Sequence, residues 1–529
     1  MDKLEHVLIG GDWRPALDPQ GSFRAADPSR AESIGPDYPV SGPADVEAAM
    51  QAATNVAAEL AAVPPSRIAD FLEAYATAIE ADVDTLVALA HTETALPTEP
   101  RLRSAELPRT VDQLRQAARA VRGYAWTDPV IDTQAGLRAH RAPLGKPVLV
   151  FGPNNFPLAF NAIAGSDFAS ALAARNPVIA KAHPLHPATS QRLASLAHQA
   201  VLASGLPAAT VQMLYHFDNK TGLAWAGDAR LGAIGFTGSR AGGLALKAAA
   251  DQAGIPFFAE LSSVNPVFML PGALAQRADA LAQEFFGSCT MGSGQFCTNP
   301  GIVVVPAYAD GETFLAAASK LFEESAPKLL FSADGQNHLA DAVAALRQAG
   351  AQVLAGGDPG AGTGYRYQPT LLAVDAKVFL ARADALQAEA FGPVSLAIRA
   401  RTLEEMVAVA AAFAGNLTGT LYRAENGSDD DAWRVIAPVL RRRVGRLIAN
   451  KMPTGVAVSP AMNHGGPYPA TSQPGFTAVG MPAAIRRFAA LHSYDNVPEH
   501  LLPPELRDRN PGGVQRLING QWRDGDIGD

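Results

Sequence analysis

A chain of 529 residues with 43 Lys and Arg against 51 Asp and Glu carries a formal net charge of −8, which gives no basic footprint for nucleic acid. With 48% apolar and 18% charged residues it is not a disordered chain, and at roughly 150 residues per domain it holds about three to four domain-sized units. Two cysteines, Cys289 and Cys297, are too few for a disulfide scaffold or a Cys₄ metal centre, and no metal site is expected.

The N-terminal MDKLEHVLIGGDWRP has only a short apolar run, too short for a signal peptide, and no apolar stretch reaches the roughly 18 residues of a membrane span. A soluble cytoplasmic protein is expected. From about 44 to 92 the text is Ala-rich and helical in period. One helix ends before Pro64-Pro65, and a second, SRIADFLEAYATAIEADVDTLVALAHTET, starts with Ser66 as its N-cap. Another runs over roughly 102–123 with Pro108 at its start or at a kink.

The rhythm then changes. KPVLVFGP reads as a buried strand, FPLAFNAIAGSDFASALAA as a helix, and NPVIAKAHP as a strand. SQRLASLAHQAVLASG is a helix closed by Gly205. VQMLYHF and LGAIGFTGS are strands, RAGGLALKAAADQAG a helix, and PFFAELSS a strand. A second alternation begins near 273 with the helix ALAQRADALAQEFFGSCT, the loop MGSGQFCTNPG, the strand IVVVPA and the helix ETFLAAASKLFEES, and continues through 337–448. Strands alternating with helices predict βαβ units and parallel sheets, and the lack of a fixed period disfavours a solenoid. The expected class is α/β, with two α/β domains and a Pro-rich tail from about 460.

Chemistry concentrates in the connections. In GSGQFCTNPG, Cys297 lies among glycines and small polar residues, whose backbone N–H groups can stabilise a thiolate and then an oxyanion. A buried, inert cysteine is the commoner fate, and Cys289, within the apolar helical EFFGSCT, fits it. In FAELSSVNPV, Glu260 follows Phe257, Phe258 and Ala259; such company suits a general base, and a strand-end glutamate paired to an arginine is the plain alternative. In FGPNNFPLAF, the Asn155 amide either donates to an oxyanion or caps a turn. FTGSRAGG brackets a strand-to-helix turn with Gly238 and Gly243, like a phosphate cradle but without the G-x-G-x-x-G spacing. Lys181, ending PVIAK, meets a phosphate or ribose, or only solvent.

PNNFP, PVIAKAHP, FTGS, AELSSVNP, GQFCTNPG and EAFGP stand in one order. In that order the chain resembles the aldehyde dehydrogenase superfamily over nearly its whole length. GQFCTNPG, the AHP after Lys181, PTGVAVSPAMNHGGPYPATS and LLPPELRDRNPGGVQRLING resemble the bacterial 2-oxoglutarate semialdehyde (2,5-dioxopentanoate) branch, related to NADP-dependent fatty aldehyde dehydrogenases. The resemblance implies an atypical Rossmann cofactor domain over 1–126 and 146–261. It implies an α/β catalytic domain over 262–470 and an oligomerisation extension over 127–145 and 471–529. Cys297 matches the nucleophile, Glu260 the water-activating residue, and Asn155 the oxyanion donor. Lys181 matches the cofactor-ribose lysine, Gly238, Ser239 and Gly243 the pyrophosphate-side turn, and Glu389 and Phe391 the pair that holds the nicotinamide ribose and ring.

Two departures stand out. Where NAD-preferring relatives often carry an acid three residues after the lysine stands Pro184, and Lys220 lies in the loop where a base would meet a 2′-phosphate, so NADP is preferred and NAD possible. Asn154 replaces a frequent aromatic. His464, in MNHGGPYP, matches a histidine that nears the active site in the fatty aldehyde relatives, or is a satisfied loop histidine. Phe156 and Arg109 are candidates for the substrate side, Arg109 as the cation for a distal carboxylate or else as a surface residue. The expected reaction is NAD(P)-dependent oxidation of an aldehyde to a carboxylate. The substrate would be 2-oxoglutarate semialdehyde, or alternatively a medium- or long-chain aldehyde, and the enzyme a homodimer or homotetramer without nucleic-acid or membrane partners. A cysteine hydrolase or esterase would need a histidine beside Cys297, and none is near it in sequence. A CoA-acylating dehydrogenase would usually lack Glu260.

Overall fold

The short apolar runs VLVF, VIAK, VQML, AIGFT and FFAE become neighbouring strands of one sheet in the computed structural model, which describes residues 4–510 and 512–528. With an N-terminal hairpin they form β1 (Val7–Ile9), β2 (Asp12–Arg14), β3 (Val148–Phe151), β4 (Val178–Lys181), β5 (Val211–Leu214), β6 (Ala233–Thr237) and β7 (Phe257–Glu260). Their order is β7-β6-β3-β4-β5-β1-β2, parallel from β7 to β5. Helices cover both faces of a parallel sheet, so its strands are apolar throughout and do not alternate with polar residues. Every residue of β3, β5 and β7 is accordingly buried.

A second sheet follows the same logic: β8 (Val267–Met269), β9 (Ile302–Pro306), β10 (Gln352–Ala355), β11 (Thr370–Asp375), β12 (Val394–Ala400), β13 (Asn416–Tyr422) and β14 (Val444–Ala449). The order is β10-β11-β12-β9-β8-β13-β14, with β10 antiparallel to β11. Successive side chains feed opposite cores, as the two-residue strand period requires. Phe268 and Val304 pack with Leu372 and Ile398 on one face; Val267, Val303 and Val305 pack with Phe285 and Phe314 on the other.

The helices that bear on the site are α1 (Pro43–Ala62), α2 (Pro65–Ala81), α3 (Val83–Thr94), α4 (Leu107–Arg122), α5 (Ser166–Ala173), α6 (Pro187–Ala203), α7 (Asn219–Ala226), α8 (Arg240–Gln252) and α9 (Pro271–Thr290). Three expectations are corrected. The long second helix is two, broken at Asp82, whose carboxylate is held by Arg192 at 2.6 and 2.8 Å. Its start is set by Pro65 in the first turn, where the fixed φ is favourable, and Ser66 is no cap. The helix expected over 156–174 exists only as α5. Upstream, Glu106 accepts the Leu158 and Ala159 N–H groups at 2.8 and 3.0 Å, and Asn161 Oδ1 accepts Ile163 N–H at 3.1 Å; these side-chain bonds bend the chain away from a helical ladder.

Before α4 the chain winds as a wider π-type coil over Thr98–Glu106, with Pro108 in the first turn of α4 as expected. The Pro-rich tail contributes more than loops. Residues 489–495, 516–518 and 521–523 join 130–132 and 137–143 in a five-stranded sheet. Among the described residues, no helix is long and apolar enough to cross a membrane.

Candidate active site

In the first sheet β4 lies to one side of β3 and β6 to the other, so the crevice beyond their carboxyl ends is a topological switch point where ligands bind in open α/β sheets. The predicted motifs sit there because each directly follows a strand. PNNF follows β3, Lys181 ends β4, Gly238 and Ser239 follow β6, and Glu260 ends β7 in register with Thr237. The second sheet supplies the facing wall. α9 ends at Thr290, a tight turn covers Met291–Gly294, and Cys297 lies just beyond. A cavity of about 500 Å³ opens between them, lined by Asn155, Gly238, Ser239, Glu260, Cys297 and Glu389, with Phe391 alongside.

The Cys297 loop is tied to the end of β7 by Asn265, which takes a left-handed backbone (φ 45°) and whose Nδ2 donates to the Cys297 and Asn299 carbonyls at 2.8 and 2.9 Å. His464 reaches the same point from the far end of the chain. Its segment is stitched to β7 by Leu261 N–H donating to Ala470 O at 2.8 Å. Gly465 allows the fit, since a Cβ there would lie 2.4 Å from the Phe476 carbonyl oxygen. His464 Nε2 then stands 3.5 Å from Cys297 Sγ and 2.9 Å from Glu260 Oε2. The glutamate contact lacks hydrogen-bond alignment, and neither Glu260 carboxylate oxygen has a hydrogen-bond partner. Burial first, then the negative charge of Glu260, push the Cys297 thiol well above its ordinary range, while Arg109 pulls it down. Burial thus opposes the thiolate that the amides of the glycine-rich loop were expected to favour.

Asn155 is buried, and its Nδ2 donates to the Gln295 carbonyl at 2.9 Å, leaving the second amide hydrogen over. Its own carbonyl accepts Arg101 Nη2 at 2.9 Å, and Arg101 pairs with the buried Glu106 that also holds the turn after Phe156. Arg101 lies 4.4 Å over the Phe156 ring, and Phe156 meets Phe296 edge-on at 5.3 Å. Arg109, on α4, lies 4.7 Å over the Phe160 ring, with buried Nε and Nη2 lacking partners. Both arginines line a second cavity of about 910 Å³, which shares Gln295 and Phe331 with the first.

The structure thus brings together Cys297, Glu260, Asn155 and His464, with Gly238, Ser239, Glu389 and Phe391 around the first cavity and Phe156 and Arg109 around the second. Lys181, Gly243 and Lys220 do not line the first cavity. Lys220 is exposed in the first turn of α7, whose N-cap is Asp218. Burial lowers Lys181 to about 8, and Gly243 serves packing: a Cβ there would meet Leu261 at 2.4 Å. Burial likewise raises Glu389 to about 7. Sequence reasoning missed Arg101, Glu106, Asn265 and His183. The last lies in the cavity wall two residues after Lys181, where burial disfavours its charged form.

Known proteins resemble this chain closely. The profile of the Aldehyde dehydrogenase family matches residues 13–480. "Alpha-ketoglutaric semialdehyde dehydrogenase 2" of Azospirillum brasilense is 42% identical, with 98% of this chain and 100% of that protein covered. "Alpha-ketoglutaric semialdehyde dehydrogenase" of Acinetobacter baylyi is 36% identical, covering 90% of this chain and 91% of the relative. The fold also matches the crystal structure of PnpE in complex with nicotinamide adenine dinucleotide, with a TM-score of 0.79 at 21% identity, over 93% of this chain and 97% of that one.

Proposed function

Because this chain belongs to the aldehyde dehydrogenase family, whose members oxidise aldehydes with NAD(P), we propose that its substrate is 2-oxoglutarate semialdehyde and its product 2-oxoglutarate. The observation that carries the substrate is the pair of buried, partnerless Arg109 nitrogens beside a cavity that adjoins the Cys297 site. A guanidinium so placed suits a distal carboxylate, and both curated relatives are named for this aldehyde. Arg109→Met is expected to lower kcat/KM for 2-oxoglutarate semialdehyde roughly 30- to 100-fold, the worth of a charge-assisted hydrogen bond. A medium-chain alkyl aldehyde should change little. Equal losses on both in steady-state assays would contradict the carboxylate role and favour the runner-up reading, a dehydrogenase of medium- or long-chain aldehydes.

In this reading residues 1–126 and 146–261 form the cofactor domain, 262–470 the catalytic domain, and the remainder an oligomerisation extension. The exposed Leu491, Trp522 and Leu137 of the five-stranded sheet support a homodimer or homotetramer. Two unpaired cysteines support a cytoplasmic setting.

The cofactor fits the residues present. Ser239 caps α8, so the helix N-terminus edges the cavity beside Gly238 and suits a pyrophosphate, while Glu389 and Phe391 would flank the nicotinamide half. A bound nicotinamide ring supplies the hydride acceptor. Pro184 in the wall puts no carboxylate at the position three residues after Lys181 to repel a 2′-phosphate, which supports NADP over NAD.

Lys181 is charged below about pH 8 and neutral above it, so its attraction for the nucleotide is present on the acid side and lost as pH rises. The NADP Kd is expected to rise between about pH 7 and about pH 9.5, and Lys181→Met to flatten that profile. A parallel rise in the variant would remove Lys181 from the binding site.

The chain's own residues account for the rest. His464 Nε2 takes the proton of Cys297 Sγ, and the sulfur bonds the aldehyde carbon. The free Asn155 amide hydrogen and the Cys297 N–H meet the resulting oxyanion. After oxidation of that adduct Cys297 would carry the acyl group as a thioester. Glu260 then takes a proton from water, whose oxygen bonds the acyl carbon as the carbon–sulfur bond breaks. A Cys–His–Glu cluster also suits an esterase; formation of reduced nucleotide with aldehyde separates the two.

A further inference from the structure

Glu260, Cys297 and His464 each place one donor atom within 4.8 Å of the others. Tetrahedral zinc, with Zn–S of about 2.3 Å and Zn–N of about 2.0–2.1 Å, sets its sulfur and nitrogen ligands about 3.5 Å apart. Cys297 Sγ and His464 Nε2 already stand at 3.5 Å. Glu260 Oε2, at 2.9 Å from His464 Nε2, needs only a few tenths of an ångström of opening. Glu260 is 2% exposed and neither oxygen makes an aligned hydrogen bond, so beside the His464 ring its buried carboxylate keeps acceptor capacity for a cation. Cys297 and Glu260 also border the first cavity, so the cleft can supply a fourth ligand such as water.

Charge and softness agree. The thiolate and carboxylate together neutralise a dication, and a sulfur–imidazole–carboxylate set selects zinc over magnesium or calcium. Arg109 and Arg446, whose charges act on Cys297, oppose a cation, and Glu389 favours one.

We propose that Glu260, Cys297 and His464 bind one Zn²⁺ reversibly, and that the bound ion inhibits the enzyme. On binding, the S–H bond breaks, an S–Zn bond forms and the proton goes to solvent, with no change of oxidation state. The sulfur can then no longer attack an aldehyde, nor the carboxylate a water. The inhibition rests on Cys297 being the nucleophile; the binding does not.

Co²⁺ tests the site on the full chain. One equivalent is expected to give thiolate-to-cobalt charge-transfer absorption with tetrahedral ligand-field bands, lost in Cys297→Ser and kept in Cys289→Ser. His464→Gln and Glu260→Gln should each weaken Zn²⁺ at least tenfold in competition with a chromophoric chelator, while their thermal melts show that they fold. In aldehyde assays Zn²⁺ should inhibit the wild type and EDTA restore it. Charge-transfer absorption that survives Cys297→Ser, or wild-type affinity in both other variants, overturns the site. If no aldehyde is oxidised, the functional reading fails while the cobalt spectrum still decides the binding.

Discussion

Cys297→Ala is expected to abolish aldehyde oxidation, by roughly 10⁴-fold or more, because no other group can form the acyl bond. Cys289→Ala should retain most of it. The two thiols differ in everything but type. Cys289 is fully buried on α9 among Phe285, Val303 and Phe314, and its sulfur donates to the Pro300 carbonyl at 3.6 Å. Its loss costs about 1–2 kcal/mol of packing and leaves the cleft unchanged. Cys297 faces the cavity, touches His464 and has its loop pinned by Asn265. Absorbance of reduced nucleotide reads activity, and retained NADP binding shows that the alanine variant keeps its fold. Inactivity of Cys289→Ala with an active Cys297→Ala would reverse the assignment.

Glu260→Gln is expected to give one equivalent of reduced nucleotide and then stall. The substitution keeps the shape of a buried side chain and removes the base needed for hydrolysis. Proton transfer by a placed carboxylate is worth about 10²–10⁴-fold, so steady-state turnover should fall by that factor while the first turnover completes. Mass spectrometry of the stalled protein should find an acyl group on the peptide containing Cys297. Unimpaired steady-state turnover would remove Glu260 from the hydrolytic step and leave His464, 3.5 Å from Cys297 Sγ, as the base.

Much of this was legible in the chain because local rules governed it. Runs such as VLVF and FFAE announce strands of a parallel sheet, and residues just past such strands are forced to its carboxyl edge. Cys297 and Cys289 separate by their neighbours alone. The misses have one physical cause, contacts between residues remote in sequence. FPLAFNAIAG has helical composition, yet Glu106 takes its amides from about fifty residues away. Asp82 breaks a helix where Arg192 holds it. Arg101 is an ordinary residue in TEPRLRSAE until it meets the Asn155 carbonyl and the Phe156 ring. His464 was legible through the resemblance of MNHGGPYP, while its contacts with Cys297 and Glu260, at 3.5 and 2.9 Å, depend on a loop from the far end of the chain that glycines let approach β7.

Oxidation of a carboxylate-bearing semialdehyde at Cys297 is tested most directly by a comparison of kcat/KM. 2-Oxoglutarate semialdehyde, succinate semialdehyde and a long-chain alkyl aldehyde would be assayed with NADP and with NAD by formation of reduced nucleotide. The highest value is expected for 2-oxoglutarate semialdehyde with NADP, with 2-oxoglutarate as the product. A higher value for the alkyl aldehyde, or no reduced nucleotide with any semialdehyde, would contradict the account.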